Sequence, residues 1–196
     1  MSIHMDYTDV RNTTTGGFSL IELVVVTGIL VIITSILLFN NARFGGVMLL
    51  ENLAYDIGLS VRQAQVYGIS VFRYGAGTFS VGYGMHFTKA PAPSVYVLFA
   101  DTSAPANGLY DSGETVLSTT IERGFFVSDL CTTSGGGGEV CGRTELDVVF
   151  KRPEPAAYIR ANGAATLYDR ARIVLASPRG DLRSVIVEAS GQIAVQ

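Results

Sequence analysis

The 196-residue chain is short of the residues that most chemistry needs: 16% are charged, two are histidine and two are cysteine. His4 and His86 lie far apart, and neither stands at ligand spacing to Cys131 and Cys141, which argues against a zinc centre. The sequence has no nucleophile elbow, no metal-binding histidine pair and no phosphate loop, so an enzyme on a membrane tether is the disfavoured class. His86, between Met85 and Phe87, reads as an ordinary surface or core residue of a strand. A formal charge of -3 and a pI near 5.3 remove any global electrostatic reason to bind nucleic acid. The two cysteines enclose a short polar loop, and outside the cytosol such a pair is most simply a disulfide.

What the chain has instead is one long apolar run, which lifts the mean hydropathy to +0.35. From Leu23 to Phe39 the segment LVVVTGILVIITSILLF carries no charge, and with Phe18 to Glu22 added it reaches the length of a membrane-crossing helix. A cleavable secretory signal ends its apolar core at a small-residue site, whereas here Gly16-Gly17 comes first. A cut after Gly17 removes only a polar leader and leaves the apolar helix on the mature chain. Glu22 falls within the inserted part, where an ionised carboxylate costs several kcal/mol on the scale of about 3 per charge and therefore needs a partner. Hydrolysis after Gly17 creates such a partner, an α-amino group on Phe18 about one helical turn away and accessible to a neighbouring subunit.

Gly17-Phe18-Ser19-Leu20-Ile21-Glu22-Leu23 resembles the cleavage and methylation signature of type IV pilins and type II secretion pseudopilins. The resemblance implies that a bacterial prepilin peptidase cuts after Gly17 and N-methylates Phe18, and that Glu22 guides docking into a filament. It also implies a single-pass protein of the inner membrane, with its C-terminal domain extracytoplasmic and other pilin-like subunits as partners. A plain signal anchor with a chance match is the bland alternative. The leader departs from the family in being weakly charged, with Asp6 and Asp9 against Arg11, so orientation rests on the motif more than on the positive-inside cue.

After Phe39 the pattern turns amphipathic. Leu50, Leu53, Ile57, Val61 and Ala64 recur at three- and four-residue steps, which predicts a helix ending near Gly68. Asn40-Asn41 and Gly45-Gly46 weaken it, the glycines by roughly 1 kcal/mol each, so a kink or extensible stretch is expected there, with a simple linker as the alternative. Beyond residue 70 alternation of period two takes over, clearest at Phe79, Val81, Tyr83, Met85 and Phe87. Further strands are predicted at Val95 to Phe99, Thr115 to Ile121, Leu146 to Phe150, Arg172 to Ala176, Ser184 to Glu188 and Gln192 to Val195. The expected fold is α+β and pilin-like, a long N-terminal helix packed on antiparallel sheets. It divides into a leader (1–17), a membrane and assembly helix (18–39), an amphipathic continuation (40–70) and a β-rich domain (71–196).

The segment LLENLAYDIGLSVRQAQVYGISVF and the last strand GQIAV resemble the minor pseudopilin family labelled GspH/FimT. This implies a minor subunit of a type IV pilus or type II secretion pseudopilus, the alternatives being a major pilin or a DNA-binding minor pilin of a DNA uptake apparatus. The loop from Phe99 to Glu114 resembles the acidic loop of that family, and Asp101, Ser103, Asn107, Asp111 and Glu114 supply several of the six to eight or so oxygens that calcium takes. Ser103-Ala104-Pro105-Ala106 lengthens its first half, which favours an ordinary acidic hairpin loop over a calcium site. Gly135 to Gly138, inside the cysteine loop, are followed by no lysine and no helix, which argues against a phosphate cradle; a flexible exposed loop is favoured, with a partner-binding loop as the alternative. Arg170, Arg172, Arg179 and Arg183 belong to a locally basic stretch that begins at Lys151. A DNA-binding face and a solvated surface both fit it, and the second is favoured because alternation scatters strand side chains over two faces. Arg179-Gly180-Asp181 reads as a polar turn.

Overall fold

A computed structural model describes residues 16–70 and 81–196, except for the side chains of 39–44. The fold is α+β, with one α-helix among the described residues, α1 (Leu20–Ile69), and ten strands. The chain divides into two units, Met1–Arg43 and Phe44–Gln196, each described by itself.

In the first unit, Ser19 is the N-cap of α1. The stretch Leu20–Leu38 is long and apolar enough to cross a membrane, and none of it is buried. The hydroxyls within it are satisfied inside the helix: Thr27 Oγ1 donates to the Leu23 carbonyl at 2.9 Å and Ser35 Oγ to the Val31 carbonyl at 2.8 Å. Such back-bonding leaves the lateral surface without free donors, as a hydrocarbon surrounding requires. The chain is helical through both glycines at Gly45-Gly46 rather than a simple linker. Each glycine has open space where a side chain would stand, so nothing there forces the chain out of helix.

In the second unit the anticipated stripe is the core face. Leu50, Ala54, Ile57, Val61 and Ala64 are fully buried, and Leu53 packs at their margin. Gly68 stands next to the helix end, as expected, and is also a close approach: a Cβ there would stand 2.3 Å from the Phe150 carbonyl oxygen. The helix ends one residue later. Gln65, buried on the same side, donates from Nε2 to the carbonyls of Pro155 and Gly191, both at 3.0 Å, tying the helix to a strand and to a turn of the β-domain.

The first sheet is antiparallel in the order β3-β2-β1-β6-β7, from β1 (Gly82–Thr88), β2 (Val95–Asp101), β3 (Thr115–Thr120), β6 (Glu145–Lys151) and β7 (Glu154–Ala161). The second runs β10-β9-β8-β4-β5, from β4 (Phe126–Thr133), β5 (Val140–Cys141), β8 (Arg170–Ala176), β9 (Leu182–Glu188) and β10 (Ile193–Val195). All seven predicted strand regions contain strands, although the expected start of the first, Phe79, lies outside the described residues. β4, β5 and β7 were not anticipated. One core joins the helix stripe to the inner faces of both sheets, including Met85, Phe87, Leu98, Phe150, Ile173 and Val187. The outer face of the first sheet holds a second cluster, Val97, Phe99 and Val149 with Tyr110 and Tyr158 packed against it. Gly84 makes room for it, since a Cβ there would meet the Phe99 ring and Val149 at 2.8 Å.

Candidate functional site

Gly17 and Phe18 precede α1, and among the described residues a Cβ on Gly17 would meet nothing within 4 Å. Phe18 is 82% exposed. Glu22, the one acidic residue of the first turn, is tied to the N-cap. Its N–H donates to Ser19 Oγ at 3.3 Å, and its Oε2 accepts from the Ser19 N–H at 3.4 Å. This is a capping box, which the S-x-x-E spacing of Ser19 and Glu22 encodes and which the motif reading passed over.

The acidic loop between β2 and β3 brings Asp101, Asn107, Asp111 and Glu114 together, each already at work as an acceptor inside the loop. Glu114 Oε1 takes the N–H groups of Thr102 (2.7 Å) and Ser103 (2.9 Å) and both their hydroxyls, while Oε2 takes the Asp111 N–H. Asp111 Oδ2 accepts from Ser103 Oγ and from the Asn107 amide, and Asn107 Oδ1 from the Leu109 N–H. Asp101 Oδ2 accepts from the Gly108 N–H at 2.8 Å, whereas its Oδ1 is buried without a partner. Burial pushes the Asp101 carboxyl above its ordinary value and neighbouring Glu114 adds to the rise, against the lowering effect of the Gly108 N–H. These oxygens hold loop backbone, which favours the acidic hairpin reading. Gly108 has φ +69°, and Arg160 Nη1 fills the space a side chain would take.

Under this loop lies His86, expected to be an ordinary strand residue, in a pair with Asp147. His86 Nδ1 is 2.8 Å from Asp147 Oδ1, both residues are buried, and the Tyr110 ring lies 4.8 Å from the imidazole. The Tyr110 N–H also donates to Asp147 Oδ1, at 3.3 Å. Register explains the meeting: His86 on β1 stands opposite Asp147 on β6, and Asp147 opposite Arg160 on β7.

Cys131 and Cys141 form a disulfide between β4 and β5, where they are direct cross-strand partners. With their sulfurs bonded to each other, the grouping they make with Asp129 is not a metal site. Burial opposes the charge of Asp129, but hydrogen bonds from Lys89 and from the Leu130 and Gly142 N–H groups outweigh it and hold the carboxyl below its ordinary value. Arg172 reaches over the bridge to form an ion pair with Glu139, whose hydrogen bond raises the arginine's pKa further. Arg170, on the same face of β8, pairs with Glu188 at 2.7 Å. Arg183 lies on β9 and Arg179 in the β8–β9 turn, where Ser177 and Asp181 close the hairpin. The four arginines therefore do not gather on one face, and the two that share a face are ion-paired.

No family model, curated protein or solved structure matches the chain.

Proposed function

We propose that the chain is a prepilin-type subunit: cut after Gly17, held in the bacterial inner membrane by its apolar helix, and assembled through that helix into a pilus or secretion pseudopilus. The observation that carries this reading is the direct succession of the GFSLIE motif and a wholly uncovered apolar helix, Leu20–Leu38, whose one acidic residue is Glu22. A helix whose large apolar side chains are more than half exposed requires lipid or other subunits around it. The amphipathic half behaves differently, because its apolar stripe is consumed by the β-domain's own core. This division of labour suits a subunit that carries a folded head and leaves its N-terminal segment for others. The resemblance of LLENLAYDIGLSVRQAQVYGISVF to the GspH/FimT family supports a minor rather than a major subunit.

Assembly tests the reading. In cells expressing a matching filament machine, wild-type chain is expected in the sheared filament fraction, and Glu22→Ala only in the membrane. Equal incorporation of both would remove Glu22 from its proposed role.

A further inference from the structure

The part of α1 that belongs to the second unit is apolar on two sides. One side, from Leu50 to Ala64, packs into the core, yet four more large apolar residues stay outside: Met48 is 53% exposed, Tyr55 53%, Leu59 66% and Val66 50%. At about 3.6 residues per turn these four fall in one narrow stripe on the side opposite the buried one. Asn52 and Arg62, also exposed, fill its gaps, so that Met48, Asn52, Tyr55, Leu59, Arg62 and Val66 follow at alternating steps of four and three residues. Apolar residues at that spacing mark the seam of a coiled coil, whose complement is another helix.

The charges on this face decide which helix. Glu51 and Asp56 take the two positions that flank the seam, and Arg62 stands in it. Among the described residues none of the three has an ion-pair partner, and Arg62 Nη1 donates to Gln65 Oε1 at 3.5 Å. Copies inserted in one membrane run in the same direction. In a parallel pair of copies Arg62 would meet Arg62 of the second copy, and Glu51 of each would lie across from Asp56 of the other. Like charges so placed disfavour the homodimer. A helix with a carboxylate facing Arg62 and cations facing Glu51 and Asp56 turns all three into attractive pairs.

We propose that this stripe docks a parallel amphipathic helix of a different subunit, one with an apolar seam, a carboxylate set against Arg62 and basic residues set against Glu51 and Asp56. The inference rests on the membrane-anchored reading, which supplies the common direction. The buried stripe holds the β-domain, and the exposed one selects a neighbour other than the chain itself.

The test uses full-length chain in lipid nanodiscs and two synthetic three-heptad helical peptides with leucine at the seam. One carries glutamate facing Arg62 and lysines facing Glu51 and Asp56. The other has these charges inverted, and the outer faces bring both to the same net charge. The matched peptide is expected to bind about tenfold more tightly by fluorescence anisotropy. Combining Glu51→Lys, Asp56→Lys and Arg62→Glu should reverse the preference, which loss of fold would not do. Leu59→Cys in liposomes under mild oxidation is expected to give no disulfide-linked homodimer. Equal affinity for the two peptides, binding of neither, or a Leu59→Cys homodimer overturns the proposal and leaves the anchor standing. Chain that does not enter lipid refutes the anchor, and the same two peptides, read on the soluble chain, then decide the seam by the same criterion.

Discussion

Ser19 and Glu22 satisfy each other at the start of α1, each accepting the other's backbone N–H at 3.3 to 3.4 Å. Both residues lie after Gly17, so the pairing survives a cut there. Glu22 thus has a local task, starting the helix cleanly, and a proposed intermolecular one, and the two are separable. Ser19→Ala should lose the cap, about 1 kcal/mol, and speed amide exchange in the first turn without blocking assembly. Glu22→Gln should do the reverse, because glutamine also closes a capping box but carries no charge. Amide exchange in micelles together with filament incorporation checks both.

The disulfide staples a two-residue strand to the edge of the second sheet. Replacing Cys131 and Cys141 by serine should cost about 2 to 3 kcal/mol by loop entropy. The Arg172–Glu139 pair is about one-third exposed at each partner, so Arg172→Ala should cost no more than about 1 kcal/mol. Thermal unfolding of the full chain with and without reductant measures the difference.

Asp101 should give the domain a distinctive pH dependence. Its folded-state pKa lies above its ordinary value, chiefly through burial, so the folded state binds the proton more tightly than the unfolded state does. That contribution is fully present below the ordinary carboxylate pKa and is lost as pH rises through the folded value. Asp101→Asn keeps an oxygen for the Gly108 N–H and removes the charge. It should therefore be more stable than wild type at neutral pH, with the advantage vanishing in acid. Melting temperatures across pH 3 to 7, on the order of the carboxylate titration range, provide the check.

The arginine stretch should not bind DNA. Arg170 and Arg172 are spent on Glu188 and Glu139, and Arg179 and Arg183 stand elsewhere. Double-stranded DNA is expected to show no retarded band even at low salt, and a steeply salt-dependent shift would contradict this.

How much of this was legible beforehand depended on the range of the signal. The helix stripe, the apolar run and seven strand regions were readable because period and burial agree over short stretches. β4 escaped because a bulge between Val127 and Asp129 breaks its alternation, and β7 because Pro153 and Pro155 read as loop. The acidic loop was visible as an inventory of oxygens, but its chemistry was not. Glu114 is occupied by the backbone of Thr102 and Ser103, which only the folded turn brings to it. The His86–Asp147 pair was beyond reach, since it depends on register between strands 61 residues apart.

The most direct test of the central claim is the intact mass and N-terminal sequence of the chain coexpressed with a prepilin peptidase, alongside Gly17→Ala. The account predicts a mature chain beginning at N-methylated Phe18 and a mutant that keeps its leader. A leader retained in both would contradict it and reduce the GFSLIE match to coincidence on a membrane-tethered β-rich domain.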